Sequence, residues 1–168
     1  LEEWMLATDE LEVLGRTCLS MLSPSLQLYF TTWEHNLGIQ CNQGARKRAF
    51  RKGFLAGYKI CFGEVLDLSW NDCPADLALI EQITLARNRD QHAQSLTSMR
   101  VSHSREDLAK HPHPFFVSSM ERRMSEESGF ESNLIMAPSI YVSRDSLFIA
   151  IAEVEKLAEW LEEKMFDR

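Results

Sequence analysis

The last quarter of the chain carries the pattern that most limits how it can fold. Between residues 145 and 166, Leu147, Ile151, Val154, Leu157, Leu161 and Met165 return every three or four positions. That is the period of an α-helix and not of a strand. A helix with one apolar stripe must lay it against other helices. The seam lasts only about three heptads, so it reads as the core of a bundle rather than as a free coiled coil.

The same period recurs upstream. Trp4, Leu11, Leu14, Cys18 and Leu22 share one face, and Glu2, Glu3, Asp9, Glu10 and Glu12 mostly fall elsewhere. "SPS" at 23–25 predicts a break, with Ser23 as cap and Pro24 in the first position of a new helix reaching about Leu37. Asn36, Gly38 and Gly44 in "NLGIQCNQG" end or kink that helix. Its continuation, "ARKRAFRKGFLAGYKICFGEVLDL", places Phe50, Phe54, Tyr58, Cys61 or Phe62, and Val65 on one side. A third main helix, entered near Asp72 and Pro74, carries the stripe Leu77, Ile80, Ile83. The expected fold is all-α: an up-and-down bundle of four to five helices forming a single domain over residues 1–168.

One region has a different texture. "SMRVSHSRED" (98–107) and "SIYVSRDSL" (139–147) echo each other, each a short β-prone segment followed by a helix start. They are expected to pair as two strands, making 98–143 a small hairpin and long-loop insertion between the last two main helices. The stretch between them, beginning "HPHPFF", is rich in Pro, Ser and charge and reads as a lid or mobile loop.

Composition sets outer bounds. With 168 residues, 45% of them hydrophobic, the chain can bury one domain core. No run of 18 apolar residues occurs, so no transmembrane helix is expected, and the acidic start "LEEWMLATDE" lacks the basic flank of a signal peptide. Cys18, Cys41, Cys61 and Cys73 show no C-x-x-C spacing and read as reduced thiols, packed like small hydrophobes, of a cytoplasmic protein. A net charge of −7 argues against a broad electrostatic coat of nucleic acid, though not against a local basic site.

The segment "LARNRDQHAQ" (85–94) departs from ordinary helix. On a helical wheel Arg87 falls between Ile80 and Ile83, inside the apolar stripe, and a guanidinium placed there needs an anionic or carbonyl partner. Asn88 and His92 share a face if the helix continues, whereas Arg87 and His92 diverge by about 140°. The chemistry open to Arg, Asn and His together is phosphate handling. Arginine binds a phosphate bidentately and stabilises charge developing on it, and histidine moves protons near neutral pH. Transesterification of RNA by its own 2′-hydroxyl needs only such groups, with no metal and no cofactor. The plainer reading is a surface ion pair between Arg87 and Asp90 and an exposed His92 at a helix end.

The motif "RNRDQH", an R-x4-H spacing with a polar residue straight after the arginine and late in a helix, resembles that of the HEPN superfamily. The likeness covers the helical frame, about 120 residues, and outside the motif is one of pattern. It implies a helical bundle that dimerises and brings two Arg/His pairs to a shared cleft, which would also remove the 140° divergence. Many members look like metal-independent endoribonucleases of toxin–antitoxin, abortive-infection or other defence systems, and some only bind nucleotides or partners. Carried over, the resemblance makes His92 the general acid–base, Arg87 the phosphate binder and Asn88 its polar support. RNA, a second copy of the chain, and an antitoxin or other regulatory protein become the expected partners.

"ARKRAFRKGF" concentrates Arg46, Lys47, Arg48, Arg51 and Lys52, five of the 18 basic residues, against acidic first and last helices. This run either tracks an RNA backbone or is a solvated helix face. His103, His111 and His113 invite a metal reading, but Pro112 and Pro114 fix an extended backbone and no Cys or carboxylate spacing completes a ligand set, so loop histidines are expected. No G-x-S-x-G, S-x-x-K or glycine-rich phosphate loop is present. Two classes remain beside a purely structural domain: a ribonuclease, and a non-catalytic dimeric helical module binding a nucleotide or protein partner through the same cleft.

Overall fold

The computed structural model describes residues 2–91, 101–128 and 137–166. His92, the first part of the 98–107 segment and the 129–136 part of the long loop lie outside the described residues. The fold is all-α. Seven α-helices occur among the described residues: α1 (Glu2–Asn36), α2 (Gln43–Phe50), α3 (Phe54–Leu66), α4 (Leu77–Gln91), α5 (Arg105–Lys110), α6 (Ser119–Ser128) and α7 (Arg144–Phe166), with a short 3₁₀ turn at Trp70–Asp72. This exceeds the expected four to five, because the run after Gly44 divides into α2 and α3 and the insertion carries α5 and α6. No helix among the described residues is long and apolar enough to cross a membrane.

The residues form two compact units, Leu1–Leu22 with Gln82–Ile149, and Ser23–Glu81 with Ala150–Arg168. Helices α1, α4 and α7 contribute residues to both. The break expected at Ser23–Pro24 is not a helix end. Pro24 lies inside α1, although its ring cannot supply the N–H of an interior position. Apolar burial on either side outweighs that loss: Leu19 is buried before the proline, and Leu26 and Phe30 after it.

The second unit is built on aromatic packing. Phe30 of α1 stacks on Tyr58 of α3, ring centroids 4.3 Å apart, with Phe54 and Phe62 meeting Phe30 edge-on. Leu157, Leu161 and Met165 of α7 close the same core, as their spacing required, and Trp160 joins them. On α3 the buried positions are Leu55, Tyr58, Cys61, Phe62 and Leu66, whereas Val65 is turned out. Each fully buried large side chain contributes about 1.5–3 kcal/mol. Helix α3 has no cap of its own, since Gly53 has no side chain; Glu81 of α4 supplies one by accepting from the backbone N–H of Phe54 and of Leu55. Helix α4 begins later than Asp72 or Pro74, at Leu77, because Asp76 Oδ1 accepts from the amides of Ala78 and Leu79.

Cys41 and Cys61 form a disulfide, so the expectation of four reduced thiols is corrected; Cys18 and Cys73 are free. Their Cα atoms are 5.3 Å apart, inside the range a disulfide needs. The bond ties the segment ahead of α2 to the middle of α3.

In the first unit Ile83 and Ala86 of α4 are buried, as are Phe116, Val117, Ile140 and Val142 of the insertion. Gly15 of α1 lies so near the backbone of Val142 that a Cβ there would strike its carbonyl oxygen. The two echoing segments do meet, at one isolated antiparallel bridge between Ser102 and Ser139, with Ile140 donating to Val101 and His103 to Pro138. No strand is present among the described residues; the expected hairpin is reduced to this bridge. The turns that follow each segment, Ser104 into α5 and Ser143 into α7, take over the backbone. Glu121 of α6 fastens the region: one oxygen accepts from the amide and hydroxyl of Ser118, the other from those of Ser139.

Candidate functional site

Arg87 and Asn88 stand on the last turn of α4, within the first unit. Arg87 prolongs the buried stripe of Ile80 and Ile83: its Nε is buried and has no hydrogen-bond partner among the described residues. Its Nη1 donates to Asn88 Oδ1 at 3.0 Å, on the exposed side of the helix. Arg87 is therefore half-buried, with Nε shielded and Nη1 reaching the helix end against a neutral amide.

The plainer reading of the motif required Arg87 to pair with Asp90. The structure engages Asp90 elsewhere. Its Oδ1 lies 3.5 Å from Arg16 Nε, and its Oδ2 accepts from the Ser20 hydroxyl at 3.0 Å, both on α1. The neighbouring Arg89 donates through Nε to Asp107 Oδ2 of α5 at 2.9 Å. So of the four polar residues in "RNRD", the last two are tied to other helices, while Arg87 and Asn88 hold only each other among the described residues. No carboxylate there compensates the Arg87 charge, which leaves a guanidinium suited to an added anion. His92 lies outside the described residues, so the third member of the motif is placed by sequence alone.

Asp107 is nearly buried, and it also receives the Ser104 amide in a capping box that starts α5. Burial pushes its carboxyl up, but the hydrogen bonds from Ser104 and Arg89, with the Arg89 charge, outweigh that and hold it below the ordinary range. Beside it His103 is buried, with Nε2 donating to the Phe116 carbonyl at 3.1 Å. Burial lowers the His103 pKa, opposed by that hydrogen bond and by Asp107 and Glu121. His103 is thus a buried, neutral packing group, and His111 and His113 lie on the segment after α5. Among the described residues no three His, Cys, Asp or Glu side chains gather as a metal set.

The basic run belongs to the second unit and divides by role. Arg46 is turned to the protein: Nη2 pairs with Glu34 Oε2 at 2.8 Å, and the guanidinium lies over the rings of Phe50 and Tyr58. Lys47, Arg48, Arg51 and Lys52 are exposed around the end of α2, where no acidic residue interrupts them.

The residues that sequence reasoning missed are Asp107, Arg16 and Ser20, which anchor the motif helix. Only the Ser104-x-x-Asp107 box had a local signal; the partners of Arg89 and Asp90 are 18 and 70 or more residues away. No family model, curated protein or solved structure matches the chain.

Proposed function

We propose that the chain is a HEPN-like, metal-independent endoribonuclease of a bacterial defence or toxin–antitoxin type system. In this reading an up-and-down bundle, carrying the 98–143 segment as an insertion held by the Ser102–Ser139 bridge, forms a homodimer whose motifs share one cleft. The observation that carries the proposal is the Arg87 head group: a charged guanidinium, half-buried and bonded only to Asn88 among the described residues, five residues before His92 in sequence. His92 takes the proton of an RNA 2′-hydroxyl, whose oxygen attacks the adjacent phosphorus. Arg87 holds the non-bridging oxygens as charge builds on them, and the bond to the 5′-oxygen breaks as that oxygen takes the proton back from His92. The products are a 2′,3′-cyclic phosphate and a 5′-hydroxyl. Acid–base assistance of this kind is worth roughly 10²- to 10⁴-fold. Lys47, Arg48, Arg51 and Lys52 offer the RNA a local positive surface on an otherwise acidic chain, and Arg46 supports them from below.

A second reading is favoured by the same pair. Arg87 and Asn88 suffice to hold a nucleotide phosphate or a partner carboxylate without cleaving anything. Substitution separates the two. In the enzyme, Arg87→Ala and His92→Ala each abolish RNA cleavage while the protein stays folded. In the binding module ligand is lost through Arg87→Ala, and His92→Ala has the milder effect.

A further inference from the structure

The last turn of α4 is held from two sides. Taking Arg87 as zero, the helical step puts Arg89 at about 200° and Asp90 at about 300°. The first is bound to Asp107 of α5, the second to Arg16 and Ser20 of α1. A helix tethered at two azimuths cannot roll about its axis, and roll is the motion that would carry the Arg87 head out of register with a phosphate. The two tethers are about equally shielded, the Asp107 and Arg89 side chains 10% and 27% exposed and those of Arg16 and Asp90 11% and 29%, but the α5 ion pair is the shorter, 2.9 Å against 3.5 Å. A charge-assisted bond between such groups is short and directional.

We propose that Asp107 is a positioning residue for the Arg87–Asn88 pair, acting through Arg89. The proposal rests on the ribonuclease reading for its kinetic consequence, and on the fold alone for its mechanical one. Asp107 also takes part in the capping box of α5, so a merely structural role must be told apart from positioning. Ser104→Ala removes the hydroxyl of that box and leaves the Arg89 bond intact.

The test compares wild type with Arg89→Gln, Asp107→Asn, the double variant and Ser104→Ala, measuring kcat and KM on single-stranded RNA. Positioning gives a loss of roughly tenfold or more in kcat for either single variant, with KM unchanged. The double variant is then no worse than one single, and Ser104→Ala keeps the wild-type kcat. Losses that add, that follow melting temperature, or that appear equally in Ser104→Ala overturn the proposal. If wild type cleaves no RNA, the ribonuclease reading fails and amide exchange at residues 86–91 decides the clamp. Exchange faster by roughly tenfold in both single variants, and no faster in the double, upholds it. Unchanged exchange overturns it.

Discussion

The carboxylate of Glu81 occupies the space that a side chain at Gly53 would need: it receives the amides of Phe54 and Leu55 at 3.0 and 3.1 Å, and a Cβ on Gly53 would collide with it. Glu81 can swing aside only by releasing both bonds. Gly53→Ala and Glu81→Ala should therefore each destabilise the protein by about 1–2 kcal/mol, the worth of a lost helix cap. Because both remove the same interaction, the double variant should cost little more than one of them. Urea unfolding of the three proteins measures this, and additive losses would show that the two residues act separately.

The Cys41–Cys61 bond closes a loop of 20 residues. Opening it should lower stability by about 3 kcal/mol if the effect lies in the unfolded chain. Alkylation of the native protein should label Cys18 and Cys73 and spare the other two, and all four should react once a reductant has been added to the unfolded chain. Labelling of all four without reductant would contradict the pairing.

Acid should weaken the protein in two stages. His103 is held neutral by burial, so its folded pKa lies below the ordinary 6.5. The unfolded chain gains a proton first, and stability starts to fall as pH drops below that value. Glu121 acts lower. Burial raises its carboxyl, but the bonds from Ser118 and Ser139 prevail and its pKa lies below the ordinary 4.5. Its contribution is complete above 4.5 and is lost as pH falls through the folded value. His103→Gln, which keeps a donor for the Phe116 carbonyl, should flatten the upper stage only. Glu121→Gln should flatten the lower. Thermal melts across the pH range separate them, and an unaltered profile in either variant would refute that assignment.

Within the basic run, Arg46→Ala should lower stability more than RNA binding, because it breaks the Glu34 pair and the contacts with Phe50 and Tyr58. Lys47→Ala, Arg48→Ala and Arg51→Ala should do the reverse. Each phosphate contact removed should reduce the salt slope of single-strand binding by about 0.7. Filter binding at several salt concentrations, beside thermal melts, reads both effects.

Legibility followed sequence distance. The stripe of α7 was plain, since one helix repeats its own period, and Leu157, Leu161 and Met165 are buried as it required. Pro24 misled, because the preference of proline for a first turn is weaker than the burial of Leu19, Leu26 and Phe30 on either side. Among the described residues of the two echoing segments, His103, Ile140 and Val142 lie inside, but helix starts at Ser104 and Ser143 leave room only for a bridge. At the candidate site, the R-x4-H spacing and its resemblance singled out Arg87 and Asn88. Nothing local showed that Arg89 would choose Asp107, that Asp90 would choose Arg16 and Ser20, or that Cys41 would meet Cys61. Those pairings depend on how the helices pack.

The most direct measurement is cleavage of a mixed-sequence RNA by purified protein with EDTA present, comparing wild type with His92→Ala. The account predicts fragments ending in a 2′,3′-cyclic phosphate from wild type alone. Fragments in equal amount from both proteins, or intact RNA from a wild type shown to be folded and dimeric, would contradict it.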